Sequence, residues 1–146
     1  MSTTATAPST ADTPRPSRGL HIALWVVQGL LALAFLGAGG MKLTAPIEEL
    51  AKNMSFIGHS AGALVRFIGL SEVAGALGVV LPAATRIKPG LTPLAAAGLA
   101  VVMVLAFGTH LALGEYAGLG APVVLGGLAA FVAWGRWKKA PIAPRA

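Results

Sequence analysis

The sequence predicts an all-α integral membrane four-helix bundle, and three observations predict it. Hydrophobic residues make up 55% of the chain and charged residues 11%, whereas soluble domains run nearer a quarter charged. Mean hydropathy is +0.77, more apolar character than a soluble domain of 146 residues can hide. Four apolar stretches recur, each about 20 residues, the length that a hydrocarbon core of about 30 Å requires of a helix.

Composition also excludes. With Cys at 0, disulfides, thiolate metal sites, Fe–S clusters and thiol relays are ruled out. The net charge of +6 comes from basic residues at segment ends, where they act as orientation signals rather than as a nucleic-acid surface. Neither a glycine-rich phosphate loop nor a dinucleotide fingerprint is present.

Residues 1–19 are rich in Thr, Ser, Pro and Ala without apolar periodicity, the composition of a disordered cytoplasmic tail. Arg15 and Arg18 ahead of Ala32-Leu33-Ala34 also suit a signal peptide. That apolar run continues to Leu43, too long for a signal core, and three more spans follow it. The four-span domain covers residues 20–138. Its first span runs from Leu20 to Met41 and its second from Gly62 to Leu81, ended by Pro82. The third covers Thr92 to Leu113, set off by Pro89 and Pro93. The fourth covers Ala117 to Trp137, with Pro122 in its first turns, where a missing N–H is tolerated. Residues 139–146 form a basic cytoplasmic tail.

Between the first two spans, Ile47, Leu50, Ala51 and Met54 recur at helical spacing, with Glu48, Glu49 and Lys52 on the opposite face. The segment 45–61 therefore reads as a short amphipathic helix on the outer membrane surface, capping the bundle or acting as a lid.

Arg15, Arg18, Arg86, Lys88, Arg136, Lys138, Lys139 and Arg145 flank one side of the spans. The other side has Lys42, Lys52 and Arg66, offset by Glu48, Glu49 and Glu115. Both termini are therefore expected in the cytoplasm. Trp25, Trp134 and Trp137 fall at that same interface, as an aromatic belt would.

Polar residues phase the helices. On the first span Gln28, Ala32, Phe35, Gly39 and Lys42 form one stripe, and on the third Leu99, Met103, Ala106 and His110 do. Glu72 on the second is flanked by Gly69, Gly75, Ala76 and Val79, while the fourth offers Tyr116, Gly120, Val123, Gly127 and Ala130. Small residues let membrane helices approach closely, so these stripes are expected to face inward.

Glu72 is the most informative residue. A carboxylate at the centre of a span costs roughly 2.5–3.5 kcal/mol unless it is protonated, paired or wet. Arg66 lies about 9 Å above it along the helix and is rotated about 120° away, so a direct pair is strained. Lys42 and His110, on neighbouring helices, are the other candidates, giving an expected polar pocket open to the outer half of the bundle with an apolar floor.

The pattern Phe35-x-Gly37-x-Gly39-x-x-Lys42-Leu43, then Arg66-x-x-Gly69-x-x-Glu72-x-x-Gly75-x-x-Gly78 and Leu81-Pro82, resembles the DoxX-like family of small bacterial membrane proteins. Ala106-Phe107-Gly108-Thr109-His110 and Trp134-Gly135-Arg136 are similar to that family too. The resemblance covers about Leu20 to Lys138. It implies a four-helix membrane protein with cytoplasmic ends and an association with membrane redox complexes, since founding members accompany a thiosulfate:quinone oxidoreductase. Thiol handling by relatives needs cysteines, which this chain lacks.

Two readings stand for Glu72: an ion-pair partner that fixes bundle register, or a proton-handling, ligand-binding carboxylate. Lys42 and Arg66 either snorkel to the outer interface or bind ligand. His110 either bonds a quinone carbonyl and accepts a proton or is a satisfied interfacial histidine. His21 lies over 20 Å from His110 in depth by helix rise, which argues against a haem. His59 in the loop has no carboxylate at ligand spacing, so no metal is expected. Glu115 and Tyr116 are expected in the wet outer turn, and Gln28 to bond a neighbouring helix.

Given the resemblance, the favoured expectation is a bacterial inner-membrane, redox-associated component binding a quinone-like or other lipophilic small molecule in that outer-half pocket. Glu72 and His110 would carry the chemistry, and Lys42, Arg66, Phe35 and Met103 would bind ligand. No intrinsic redox cofactor, haem, metal or nucleotide is expected, and quinone is the one ligand suggested. Whether the chain is itself catalytic, as an oxidoreductase subunit, stays open. Expected partners are the bilayer, a lipophilic molecule, a soluble redox partner and a second copy of the chain, with no nucleic acid. The alternatives are a proton-coupled exporter of lipophilic compounds using Glu72, and a membrane anchor docking a soluble enzyme through Arg136–Arg145.

Overall fold

The computed structural model describes residues 16–58 and 62–146. Helices α1 (Arg18–Thr44), α4 (Gly62–Thr85), α5 (Leu91–Ala112) and α6 (Gly120–Trp134) form the bundle. Short helices α2 (Ile47–Asn53) and α3 (Ser55–Gly58) join α1 to α4. A 3-10 turn (Tyr116–Leu119) leads into α6, and a π-helical turn (Gly135–Lys139) ends it. No strand occurs among the described residues. Four segments, Arg18–Thr44, Gly62–Thr85, Leu91–Ala112 and Tyr116–Lys139, are long and apolar enough to cross a membrane.

The helices run up and down around a ring. α1 packs on α4, α4 on α5, α5 on α6, and α6 closes back on α1. Leu24, Leu31, Phe35, Val79, Ala96, Leu99, Met103, Ala129 and Val132 fill the centre. One end of the bundle carries the start of α1, the α4–α5 connection and the π turn, and is called the terminal end below. The other, the loop end, carries α2, α3 and the α5–α6 connection.

Several element boundaries differ from expectation for local reasons. Of the tail expected over 1–19, residues 1–15 lie outside the described residues. α1 begins at Arg18, two residues before Leu20, because Ser17 Oγ accepts the Leu20 N–H at 3.3 Å. α1 stops at Thr44 because Ala45, preceding Pro46, is extended. Pro82 does not end α4, which continues to Thr85. Its missing N–H forfeits a bond in the final turns, where the ladder is already running out.

The single amphipathic helix expected over 45–61 breaks at an extended Met54 into α2 and α3. Its apolar face behaves as expected. Leu50 and Ile57 bury against Val65 of α4, with Ile47, Ala51 and Met54 around them, while Glu48, Glu49 and Lys52 are exposed. The pair caps the loop end.

One stripe was misphased. Tyr116, Gly120, Val123, Gly127 and Ala130 are all exposed. α6 instead buries Pro122, Ala129, Val132 and Ala133, with Gly126 against Met103. Gly and Ala occur on both faces of this helix, so small size alone does not select one.

Candidate functional site: a buried ion pair between the first two spans

The site begins with two glycines. A Cβ on Gly39 would lie 2.7 Å from the Gly69 carbonyl oxygen, and one on Gly69 would lie 2.8 Å from Lys42 Cβ. With hydrogen in both places, α1 and α4 touch backbone to backbone. Helical Cβ atoms tilt toward the helix N-terminus, which for α1 is the terminal end. Lys42 therefore runs inward from Gly69 toward Glu72, one turn deeper, instead of snorkelling to the loop end.

The two charges meet there. Lys42 Nζ donates to both carboxylate oxygens of Glu72, at 3.0 and 2.8 Å. The side chains are 9% and 4% exposed. Glu72 lies about 15 Å from the start of α4 by helix rise, near the helix midpoint. A carboxylate at that depth is thus held by a cation from the neighbouring helix.

Arg66 is not part of that pair. Its Nη1 donates to the Lys42 carbonyl oxygen, and its Nη2 donates to the Ala45 carbonyl oxygen at 2.8 Å. The last carbonyls of a helix lack intrahelical donors and carry the negative end of its dipole. Arg66 thus caps α1 from α4 and fixes the stretch of backbone that presents Lys42.

His110 sits in a separate cluster. Its Nδ1 is 2.7 Å from Glu115 Oε2, with both side chains 29% exposed. The Glu115 N–H donates to the His110 carbonyl at 2.9 Å, closing the turn that follows α5. Gly114 at φ 72 permits that reversal. Gly118 leaves room for the ring, since a Cβ there would come within 2.8 Å of Nδ1. Tyr116 is exposed.

Phe35 and Met103 are buried in the main core. His59 lies outside the described residues. The open polar pocket expected around Glu72 is closed here: neither of the two best-formed cavities among the described residues is lined by Lys42 or Glu72. The larger, about 430 Å³, is an apolar groove lined by Phe56, Leu105, Gly108, Thr109 and Leu113.

A second polar cluster at the terminal end was not anticipated. Arg136 is buried and its Nε donates to Gln28 Oε1 at 2.7 Å. Gln28 in turn donates through Nε2 to the Val79 carbonyl, the cross-helix bond expected of it. Arg136 Nη1 lies 3.2 Å from His21 Nδ1, and its guanidinium stacks 5.3 Å from the centre of the Trp25 ring. Sequence reasoning took Arg136 for an interfacial orientation signal. Its helical register with Val132, Ala133 and Ala129 was the available clue.

With this geometry in place, the family model for the DoxX-like family matches residues 26–132. The chain belongs to the DoxX-like family. No curated protein and no solved structure matches it. The match takes in Lys42, Arg66, Glu72 and His110, and stops short of Arg136. DoxX-like membership and four spanning helices together make this a multi-pass membrane protein.

Proposed function

We propose that this DoxX-like protein is an inner-membrane, redox-associated component that engages a quinone-like or other lipophilic molecule at the Lys42–Glu72 pair. One observation carries the reading: two opposite charges are held together at mid-depth in an otherwise apolar bundle. Such a pair stabilises little relative to apolar residues of equal volume. Ionisable groups at that depth are functional by default.

The chemistry suits a ligand with carbonyl or hydroxyl oxygens on an apolar ring. Lys42 has three donors and uses two on Glu72, leaving one for a ligand carbonyl. Glu72 can accept from a ligand hydroxyl. Phe35 and Met103 would supply apolar walls, as lipophilic sites require. Because the pair is sealed, entry separates α1 from α4 or shifts the α2–α3 cap. Electrons would come from a soluble redox partner or from the ligand itself, and the Lys/Arg distribution supports a cytoplasmic position for the terminal end.

A second reading has its own support. Neither of the two cavities described above reaches the pair, and Gly39 and Gly69 close α1 onto α4. The pair would then be a register lock in a non-catalytic membrane anchor. Native mass spectrometry of gently extracted protein, with quinone titration, separates the two. A lipophilic ligand that is retained by the wild type and lost in folded Lys42→Met/Glu72→Leu supports the first reading. Ligand retention in that variant, or none in the wild type, supports the lock.

A further inference from the structure

Among the described residues Arg136 is a cation buried without a counter-charge. It is 3% exposed, and every partner it has is neutral: Gln28, the Ala140 carbonyl at 3.3 Å, the His21 ring nitrogen and the Trp25 ring face. Its Nη2 has no hydrogen-bond partner and is shut from solvent. Among the described residues the ion pairs are Lys42–Glu72 and His110–Glu115, neither of which involves Arg136. The carboxylate side chains among them belong to Glu48, Glu49, Glu72 and Glu115, on α2, mid-α4 and the α5–α6 connection.

A buried cation normally ends up paired. Here Arg136 also lines a cavity of about 130 Å³, roughly four times the volume of one liquid water molecule. Pro89, Gly90 and Pro93 at the head of α5 form one wall, and Trp137 and Pro141 form the other. The first amides of α5 are already taken: Leu91 N–H goes to the Lys88 carbonyl and Thr92 N–H to the Pro89 carbonyl. The free donor is the guanidinium. Thr92 Oγ1, buried at the same end of α5, also lacks a partner.

The charged side chains described around this cavity are basic. Arg86 and Lys88, exposed in the connection before α5, are held at φ 60 and 47, a left-handed conformation uncommon for non-glycine residues. Arg145 N–H donates to the Arg86 carbonyl at 2.9 Å, laying the C-terminal segment across this connection. Lys139 Nζ sits 5.8 Å from the centre of the Trp134 ring. Immediately outside lie exposed Ile87, Leu91, Leu94 and Trp137, a surface that acyl chains would cover.

We propose that the cavity at Arg136 holds the phosphate of an anionic phospholipid headgroup. Arg136, which lines the cavity, supplies a charge-assisted donor once its guanidinium turns Nη2 from its closed position toward the phosphate, and Arg86 and Lys88 supply attraction at the rim. Phosphate oxygens suit guanidinium geometry, and basic pockets between spanning helices recognise lipid headgroups in this way. Arg136 continues the buried face of Ala129 and Val132 into the π-helical turn, while Trp137, Lys138 and Lys139 of that turn stay exposed.

The test uses the full chain in nanodiscs of phosphatidylcholine alone, with added phosphatidylglycerol, or alone with inorganic phosphate in the buffer. Native mass spectrometry reads lipid retention, and side-chain ¹⁵N-arginine spectra read Arg136 directly. Expected results are one retained phosphatidylglycerol, a shifted Arg136 resonance in that lipid only, and retention weakened roughly tenfold or more in Arg136→Lys, the worth of one charge-assisted hydrogen bond. If Arg136→Gln does not fold, the wild-type spectra and Arg136→Lys still decide. Equal retention of both lipids, or an unmoved Arg136 resonance, would overturn the proposal. So would preference lost in Arg86→Gln/Lys88→Gln but unchanged in Arg136→Lys. A shift with inorganic phosphate in phosphatidylcholine makes free phosphate the occupant and overturns the lipid assignment.

Discussion

Replacing Glu72 by Gln removes one charge of a buried pair and leaves the other. Lys42 and Glu72 are 9% and 4% exposed, and stripping one partner from such a pair costs about 3–5 kcal/mol. Lys42 stands two residues before the end of α1, so its ammonium can swing toward the loop end and recover part of that. The expected cost for Glu72→Gln is therefore about 3 kcal/mol. Lys42→Met/Glu72→Leu removes both charges and refills the volume, and is expected within about 1 kcal/mol of wild type or above it. With Lys42→Met and Glu72→Leu as its single corners, the cycle should return a coupling energy of about 2 kcal/mol or more. Unfolding in mixed micelles, followed by tryptophan fluorescence and circular dichroism, measures each corner. A Glu72→Gln cost below about 1 kcal/mol, or a double variant as unstable as the sum of the singles, would refute the reasoning.

Further outcomes follow from the neighbouring geometry. Gly39→Ala drives a methyl against the Gly69 carbonyl at 2.7 Å and should cost about 1–3 kcal/mol by forcing α1 from α4. Gly37→Ala meets open space and should be neutral or slightly stabilising in the same unfolding assay. Arg66→Met removes the donors to the Lys42 and Ala45 carbonyls, an expected loss of about 1.5–3 kcal/mol, with faster amide exchange at the end of α1. His110→Ala breaks a pair that is 29% exposed on each side, so thermal stability should fall by less than about 1 kcal/mol. A His110→Ala loss as large as that of Glu72→Gln would show that the two clusters are coupled.

Much of the bundle was legible because polar residues phase a membrane helix. Gln28, Lys42 and Glu72 each face inward, and the stripes through them hold. Hydrophobic periodicity adds little in a bilayer, since lipid and core are equally apolar. α6 shows the consequence: residues 120–134 hold no charged or amide side chain, and Gly and Ala on both faces gave the wrong phase. Stepping back from Arg136 by threes and fours reaches Val132, Ala129 and Pro122, the buried face. That signal was present, but a basic residue at a span end reads first as an anchor in the interface. Lys42 was legible as a candidate partner of Glu72, and its Cβ direction, which leads inward, is what decides that reading over snorkelling. Gly39 and Gly69 read as packing residues in sequence; only their contact across the helices shows that they set the separation the ion pair needs.

The central claim is that Lys42 and Glu72 face each other across the α1–α4 contact and depend on opposite charge. The most direct measurement compares the stability of Lys42→Glu, Glu72→Lys and the charge-swapped double variant in the same micelle unfolding assay. The account predicts that either single change unfolds or severely weakens the bundle, and that the swap restores most of the lost stability. A swapped protein no more stable than the worse of the two singles would contradict it.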